Sequence, residues 1–440
     1  MREMKNSGIE WIGDIPSDWK ICRFRNIVNI YNGNSIKDEE KANYEDAVDA
    51  IPYIATKDVD AIFKTINYNN GMYVKTEDKS FKRAPCNSVL LCIEGGSAGK
   101  KIAFTNQEVC FINKLCCFYS NIVNNKFLFY YMQSPSFTEE FKNHISGLIG
   151  GVSISEIKGF SFVFAPIEEQ EKIVTYLDEK CVEIDTVIEK TKATIEEYKK
   201  LKQSVITQAV TKGIRPNRPM KDSGIEWIGK IPVDWSVRKL KTFTTQISKG
   251  ATPKDMSTEK TDFYSIRFLK SENIVDNQLM SVPEFYIEES IHSGELKRSQ
   301  LSDNDIMFVI AGASIGKVAI VSNELLPANT NQAMSFIRVL EKYKEIKKYL
   351  WYVLQSDIMK LFITLYSVQS AQPNISMENL GNFRLCVPAD FQEIKDILLY
   401  LNIKCLEIDE LITKKTSLLS ELENYKKSLI YEYVTGKKEV

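Results

Sequence analysis

Histidine is scarce in this chain of 440 residues, which has only two, His144 and His292. Neither lies beside a cysteine, a second histidine or an acidic cluster, so we expect neither a histidine-based catalytic triad nor a zinc centre. The nine cysteines are scattered without a Cys-x-x-Cys pair, although Cys116 and Cys117 are adjacent. This pattern favours reduced, buried thiols in a cytosol over a disulfide framework.

Long apolar runs are missing as well. No uninterrupted stretch approaches the roughly 18 apolar residues that a membrane span needs. The first six residues have no apolar stretch typical of a signal peptide. We therefore expect a cytoplasmic protein without a membrane partner. Its 44% apolar and 26% charged residues are ordinary for a protein that buries real cores.

A global excess of positive charge, which would draw the whole protein to nucleic acid, is absent, because the formal net charge is −1. Residues 20–165 have 17 basic and 15 acidic residues, and residues 236–388 have 18 and 16. Residues 166–213 and 389–440 each have 8 and 10. A nucleic-acid ligand would therefore have to meet local basic patches in the first two segments.

Signatures of nucleotide and cofactor binding are incomplete. Two related glycine-rich turns, at residues 95–100 and 311–317, look like phosphate-binding loops. However, the first glycine of that motif is replaced by Glu94 or Ala311, and no Ser or Thr follows the lysine. No Asn-Pro-Pro-aromatic or Asp-Pro-Pro-Tyr run typical of methyltransferases occurs. We expect no catalytic residue, metal or cofactor site in this chain.

The strongest positive signal is an internal repeat. Residues 4–19 return as residues 220–235, with three differences in 16 positions and a constant offset of 216. The protein is therefore built from two copies of one plan. Two similar faces suit a ligand that is itself extended and quasi-symmetric, and duplex DNA is the commonest such ligand.

Each half consists of this opening motif, a mixed α/β body and a long helix. Strands are predicted where apolar runs end in Gly/Ser turns or at a proline, at residues 88–93, 160–164, 305–310 and 383–387. Short helices are predicted at residues 127–134 and 349–356. The predicted fold class is α+β, with segment boundaries at 1–165, 166–213, 214–220, 221–388 and 389–440.

The two long helices have apolar residues that step by four and three over four to five heptads. Polar interruptions fall at matching places, Thr191 with Lys415 and Lys202 with Lys426. This match favours helices that pack on each other over a rod of roughly 60 Å; the alternative is that each packs only on its own body. The predicted packing residues are Leu177, Ile184, Ile188, Ile195, Tyr198, Leu401, Ile408, Ile412, Leu419 and Leu422.

Polar and basic residues recur at matching places between the predicted strands, and such side chains donate to phosphates or to base edges. For any single residue, capping of a strand end or turn chemistry is at least as good an explanation. The candidate DNA contacts are Thr56, Lys57, Lys100, Lys101, Asn113 and Lys114 in the first half, and Arg267, Lys270, Ser271, Lys317, Asn331 and Gln332 in the second.

The tryptophans of the opening motif, Trp11 and Trp19 with Trp227 and Trp235, could form a platform for base stacking. Their strict repetition argues against that role, because residues that read an asymmetric target should differ between the halves. We predict a structural docking segment.

Together these motifs closely resemble the specificity (S) subunits of type I restriction-modification enzymes. The opening motif, Ser-Gly-Ile-Glu-Trp-Ile-Gly-x-Ile-Pro-x-x-Trp, occurs in both halves. A strand followed by proline and a Gln/Glu pair enters each long helix, at residues 166–170 and 388–393, and the helices end alike at residues 209–213 and 434–436. The resemblance covers essentially the whole chain.

The resemblance implies two target-recognition domains, residues 1–165 and 221–388, that each read one half of a split double-stranded DNA target. The helices at 166–213 and 389–440 would form an antiparallel coiled coil with pseudo-twofold symmetry that sets the distance between the half-sites. Two modification subunits would bind S-adenosylmethionine and methylate adenine, and restriction subunits would use ATP and Mg²⁺ to translocate and cleave DNA. The chain itself would have no active site and would serve in phage defence.

Two alternatives remain open at this point. The first is a stand-alone, two-headed DNA-binding regulator, which a neighbouring gene for an adenine methyltransferase would argue against. The second is an enzyme with a disguised site, which turnover by the purified chain with DNA, S-adenosylmethionine, ATP and Mg²⁺ would support.

Overall fold

The computed structural model describes residues 2–146, 150–367 and 373–440, which divide into two units. Unit 1 consists of Met1–Ala193 and Thr416–Val440, and unit 2 consists of Thr194–Lys415. Each unit therefore combines one α/β body with parts of both long helices.

The described part of unit 1 contains two four-stranded sheets, ordered β4-β11-β8-β9 and β6-β5-β10-β7, and the antiparallel pairs β1–β2 and β3–β12. The strands are β1 (Met4–Asn6), β2 (Asp14–Pro16), β3 (Lys20–Arg23), β4 (Asn29–Asn32), β5 (Ala50–Ile54), β6 (Tyr73–Lys75), β7 (Arg83–Ala84), β8 (Val89–Cys92), β9 (Ile102–Phe104), β10 (Val109–Phe111), β11 (Leu115–Tyr119) and β12 (Ser161–Phe164). The helices are α1 (Asn125–Tyr131), α2 (Pro135–Asn143), α3 (Ile154–Ile157) and α4 (Ile167–Lys212), of which α4 continues into unit 2.

The described part of unit 2 repeats this plan with sheets ordered β16-β24-β21-β22 and β20-β17-β23, and with the pairs β13–β14, β15–β25 and β18–β19. The strands are β13 (Met220–Asp222), β14 (Lys230–Pro232), β15 (Ser236–Lys239), β16 (Thr244–Lys249), β17 (Tyr264–Leu269), β18 (Ile274–Val275), β19 (Gln278–Leu279), β20 (Tyr286–Glu288), β21 (Ile306–Val309), β22 (Val318–Ile320), β23 (Ala328–Thr330), β24 (Met334–Val339) and β25 (Arg384–Val387). The helices are α5 (Glu289–Ser293), α6 (Lys347–Gln355), α7 (Asp357–Tyr366), α8 (Met377–Asn382) and α9 (Phe391–Val434).

The central strands are apolar on both faces because both faces are covered. In β8, Val89 and Leu91 join the apolar cluster that contains α1 and α2, while Leu90 and Cys92 join a cluster with the second sheet. Side chains alternate along a strand, so double coverage requires a continuous apolar run. In β21 the same alternation separates Ile306 and Phe308 from Met307 and Val309. The four predicted strands are confirmed within about one residue at each end.

The two long helices run antiparallel to each other within each unit. In unit 1 the rings of Tyr176 and Tyr433 lie 4.5 Å apart, and Lys426 Nζ lies 2.7 Å from both carboxylate oxygens of Asp185. In unit 2 the Nζ of Lys202 lies 2.7 and 2.6 Å from the two oxygens of Asp409. The predicted pairing of the helices is confirmed within both units, and the matched lysines Lys202 and Lys426 each form an ion pair with an aspartate of the facing helix.

The residues predicted to pack between the helices are all at least partly shielded from solvent. Leu177, Ile184, Ile188, Ile195, Leu401 and Ile408 are buried, and Tyr198, Ile412, Leu419 and Leu422 are half-buried. Leu177 also belongs to the core of the unit 1 body, and Leu401 to that of unit 2. Each helix therefore packs both on a body and on the other helix.

A glycine just beyond each long helix ends it. Gly213 has φ +74° and Gly436 has φ +70°, the left-handed conformation that terminates helices at little cost only for glycine. A Cβ atom on Gly436 would also come within 2.4 Å of the Pro16 side chain.

The opening motif of unit 1 is fixed to the start of α4. Trp19 is fully buried, and its Nε1 donates to Glu169 over 3.1 Å. Arg2 lies over the Trp19 ring at 5.3 Å and donates to the carboxylates of Asp18 and Glu169.

Unit 2 repeats this network at the start of α9. Trp235 is buried, its Nε1 donates to Glu393 over 3.2 Å, and Arg218 bridges Asp234 and Glu393. Because Trp19 and Trp235 are buried, they cannot stack on bases, and the predicted docking role of these two residues is confirmed.

Candidate nucleic-acid interface

Three polar segments of unit 1 meet where strands of its two sheets end, at a place that we name the loop edge. The segments are loop A (residues 55–58), loop B (94–101) and loop C (112–114). Loops A and C follow β5 and β10, which are parallel neighbours, so the ends of these strands lie side by side. Ile112 N donates to Ile54 O over 3.0 Å, and Ile93 N, just before loop B, donates to Lys114 O over 3.1 Å. Lys101 Nζ closes the set by donating to Thr56 O over 2.7 Å.

Unit 2 brings the matching segments together in the same way, and we name them loop A′ (residues 270–273), loop B′ (311–317) and loop C′ (331–333). The preceding strands β17 and β23 are again parallel neighbours. Ile310 N donates to Ala333 O over 2.9 Å, and Lys317 Nζ donates to Ile274 O over 3.2 Å. Segments chosen from recurrence alone therefore form one edge in each unit.

Some of the candidate DNA-contact residues already use their side chains in contacts within their own unit. Arg267 is half-buried, donates to Ser281 O over 2.8 Å and lies 3.8 Å from a carboxylate oxygen of Glu284. Lys270 Nζ lies 3.5 Å from the centre of the Phe285 ring. Lys101 and Lys317 hold neighbouring loops, as described above, so these four cations have contacts within their own unit.

The remaining candidates divide by exposure. Thr56, Ser271 and Asn331 are half-buried, and the Asn331 side chain accepts from Ala333 N over 3.2 Å within its own turn. The exposed candidates are Lys57, Lys100, Asn113, Lys114 and Gln332. These five present donors to solvent at the edges where loops A to C and loop C′ lie.

A cleft of about 730 Å³ opens beside loops B and C of unit 1. Residues 150–153 form one wall, because Gly95 N donates to Gly150 O over 2.8 Å and Val152 N donates to Ile93 O over 3.0 Å. Polar side chains of the lining belong to Asn32, Glu94, Asn113, Ser146, Ser153 and Ser155.

Sequence comparison of the two halves selected only Asn113 from this cleft. Glu94 was missed because recurrence was the criterion, and Ala311 occupies the matching position in unit 2. Its place directly between a buried strand and a glycine-rich turn was the signal that could have identified it. In unit 2 the corresponding backbone bridge joins Ala311 to Asn374.

Buried thiols near these sheets are poor candidates for nucleophiles or metal ligands, since both roles need a thiolate. Burial raises the pKa of Cys22, Cys110 and Cys181 to about 11 and that of Cys386 to about 12. Within the described ranges no cluster of three or more His, Cys, Asp and Glu side chains could hold a metal ion. No helix in the described part of the chain is long and apolar enough to cross a membrane.

Comparison with known proteins shows similarity over nearly the whole chain. The specificity subunit of the type I restriction enzyme MjaVIII from Methanocaldococcus jannaschii is 25% identical over 445 residues, which cover 96% of this chain and 93% of that protein. The specificity subunit of MjaIX from the same organism is 26% identical over 181 residues, or 40% of this chain and 39% of that protein.

A solved chain from a study of complex assembly and conformational transition in a type I restriction-modification system has the same fold. It superposes with a TM-score of 0.69 at 14% identity, covering 96% of this chain and 98% of that chain. Residues 16–197 and 232–421 each match the family described as the type I restriction modification DNA specificity domain. The chain therefore belongs to the type I restriction-modification DNA specificity family and has two tandem copies of its domain.

Proposed function

We propose that the chain is the non-catalytic, sequence-specific DNA-binding subunit of a type I restriction-modification complex, in which each unit reads one half of a bipartite target. The observation that carries this proposal is the pair of matching edges, one in each unit. The same parallel strand pairing and an equivalent backbone hydrogen bond, Ile93 N to Lys114 O and Ile310 N to Ala333 O, bring the three loops of each edge together. Exposed lysines at such an edge suit phosphates, while exposed amides suit base edges.

The two long helices would set the distance between the half-sites. Their alignment within each unit is supported by one lysine–aspartate pair, Lys426 with Asp185 and Lys202 with Asp409. Inserting one heptad into both helices should lengthen the unread spacer of the methylated sequence. Sequencing of methylated adenines checks this, and an unchanged spacer would refute the role of the helices as a ruler.

The outer faces of the helices would dock two modification subunits. Val182 of α4 is 65% exposed and Leu406, at the matching place on α9, is 61% exposed. Large exposed apolar residues recur again as Val187 with Leu411 and Leu201 with Tyr425. A surface that appears twice at one offset suits two copies of the same partner.

Methylation and cleavage of DNA would then be carried out by the partner subunits. The modification and restriction subunits would bind S-adenosylmethionine, ATP and Mg²⁺. The purified chain given duplex DNA and all three should neither methylate nor cleave it. Turnover by the chain alone would refute the non-catalytic role.

Replacing the first body tests the assignment of units to half-sites. A chimera with residues 20–165 from another specificity subunit should methylate a target changed in one half only. The unchanged half acts as the internal control, because it is read by the untouched unit 2. Loss of both halves from the methylated sequence would contradict modular reading.

A further inference from the structure

We infer that Glu94 is a specificity-determining residue of unit 1, whose carboxylate accepts a hydrogen bond from the exocyclic amino group of a base. The inference rests on the proposed function and deepens it by assigning a chemical preference to one position of one half-site. Cytosine N4 and adenine N6 offer such donors in the major groove, whereas guanine O6 and thymine O4 are acceptors.

The backbone around Glu94 is fixed on three sides. Glu94 forms a bridge with Gly151, and the adjacent Gly95 N donates to Gly150 O over 2.8 Å. Ile93 N, on the other side, donates to Lys114 O over 3.1 Å. The residue therefore projects from a rigid corner between loop B, loop C and the wall of the cleft, as a reading side chain requires.

The Glu94 side chain is exposed, and its carboxylate has no hydrogen bond or ion pair with the described residues. An unpaired carboxylate is unfavourable beside a polyanion unless the ligand supplies a donor. A base with a carbonyl at that point would leave two acceptors facing each other, and the repulsion would reject it. The side chain thus discriminates by penalising the wrong base.

Around Glu94, the residues suited to contact bases and those suited to contact phosphates lie in different places. Glu94 shares the cleft with Asn32, Asn113 and three serines, all of which form hydrogen bonds without a positive charge. The exposed lysines Lys57, Lys100 and Lys114 do not line the cleft. Phosphates would meet the lysines, and base edges would meet the cleft.

The two units would therefore discriminate differently. In loop B′, Ala311 occupies the position of Glu94 and has no carboxylate. Lys249 occupies the position of Asn32, because each directly precedes a glycine, Gly250 or Gly33, whose N–H donates to the equivalent strand, β24 or β11. The half-site read by unit 2 should lack the position that Glu94 controls.

The test is the methylated sequence produced in cells by the complete methyltransferase complex with wild-type chain, Glu94→Gln or Glu94→Ala. Glutamine can donate as well as accept, so Glu94→Gln should admit guanine or thymine at one position of the unit 1 half-site. Binding of the purified complex to duplexes that differ at that position should show roughly 10-fold weaker discrimination. The half-site of unit 1 is identified by the 20–165 chimera.

Glu77→Gln is the matched control, because Glu77 is an exposed carboxylate of unit 1 that does not line the cleft. Relaxation by both Glu94 variants, but not by Glu77→Gln, in the unit 1 half alone supports the inference. An unchanged target, or relaxation in the unit 2 half, overturns it and leaves the bipartite proposal standing. If the wild-type complex methylates no bipartite sequence, the proposed function itself fails.

Discussion

Units 1 and 2 use the same arginine–carboxylate network to hold the opening motif on a long helix, but the carboxylate is buried to different extents. Glu393 of unit 2 is 1% exposed where it meets Arg218, whereas Glu169 of unit 1 is 29% exposed where it meets Arg2. The outer helix faces differ as well, since Leu399, Ile403 and Leu406 are all exposed on α9. The matching places on α4 hold Thr175, Glu179 and Val182.

This comparison separates what the repeat preserves from what it leaves free. Contacts that place one element on another recur with the same residue types, as with the two arginines over tryptophans. Side chains that face solvent at the loop edges and along the outer helix faces have diverged, as with Glu94 and Ala311. Two units with one internal structure can therefore present different surfaces.

The largest expected effect comes from removing the arginine that neutralises the more buried carboxylate. Arg218→Met leaves the buried Glu393 carboxylate with no positive charge beside it, and should lower the free energy of unfolding of unit 2 by about 3–5 kcal/mol. Arg2→Met should cost unit 1 only about 1–2 kcal/mol, because water reaches Glu169. Hydrogen exchange read by mass spectrometry resolves the two units.

A double variant provides the control for that experiment. Arg218→Met with Glu393→Gln removes the buried charge as well and should recover part of the lost stability. Equal losses for Arg2→Met and Arg218→Met would show that burial of the carboxylate does not set the difference between the units.

The helix faces should bind modification subunits with unequal strength. Leu406→Glu interrupts a continuous apolar stripe and should weaken one of two binding events by about 100-fold, or roughly 2.7 kcal/mol. Val182→Glu should weaken the other by about 10-fold, since its neighbours on the face are polar. Titration calorimetry measures both affinities, and identical affinities for the two sites of the wild-type chain would contradict the prediction.

A smaller difference is expected between the two lysine–aspartate pairs of the helices. The Lys426–Asp185 pair is more buried than the Lys202–Asp409 pair, so Lys426→Met should cost about 1–2 kcal/mol and Lys202→Met less than about 1 kcal/mol. The swapped variant Lys426→Asp with Asp185→Lys should regain most of the loss. A double-mutant cycle in chemical unfolding isolates each pair, and additive losses would show that the pair contributes nothing.

The smallest effect per residue is a difference in alkaline stability. Burial raises the pKa of Cys22, Cys110, Cys117 and Cys181 of unit 1 from 9.0 to about 11. Thiols of the unfolded chain ionise first as the pH rises. The stability that the buried neutral thiols contribute is therefore complete below pH 9 and is lost between pH 9 and 11, by about 1 kcal/mol per thiol at pH 10. In unit 2 burial raises the pKa of Cys386 and Cys405.

Unit 1, with more such thiols, should therefore lose protection from exchange at a lower pH than unit 2. Cys110→Ser and Cys117→Ser should each reduce that pH sensitivity, and an unaltered profile would exclude the thiols as its source.

Periodicity made much of the fold predictable from the sequence. The continuous apolar run in residues 88–93 and the four-three stepping from Leu177 each reflect burial of a single element, so they can be recognised without knowing what packs against it. Loops A to C were found because two copies of the chain could be compared. By contrast, Arg267 and Lys270 are held by Ser281, Glu284 and Phe285, which no local pattern connects to them.

Divergence between the copies also hid which residue at the start of α9 is equivalent to Gln170. Gln170 is buried and joins Asn124 N to Ala165 O, while the structurally equivalent place on α9 holds the buried Ile394. Gln392, which follows the proline in the sequence motif, is exposed and contacts Asp396 instead. The sequence motif thus identified where each long helix begins, but it did not identify which side chain is buried there.

The composition of unit 1 has a consequence for the order of synthesis. Its core includes Leu429, Ile430 and Tyr433, and Tyr431 and Lys437 donate to carbonyls of the opening motif. Unit 2 is a single run of chain, so it can close on the ribosome while the first body, translated earlier, still lacks its final helical segment. The body that is synthesised first is therefore the last to complete its core. A chaperone that shields nascent chains would have to stay bound longest at the amino-terminal body.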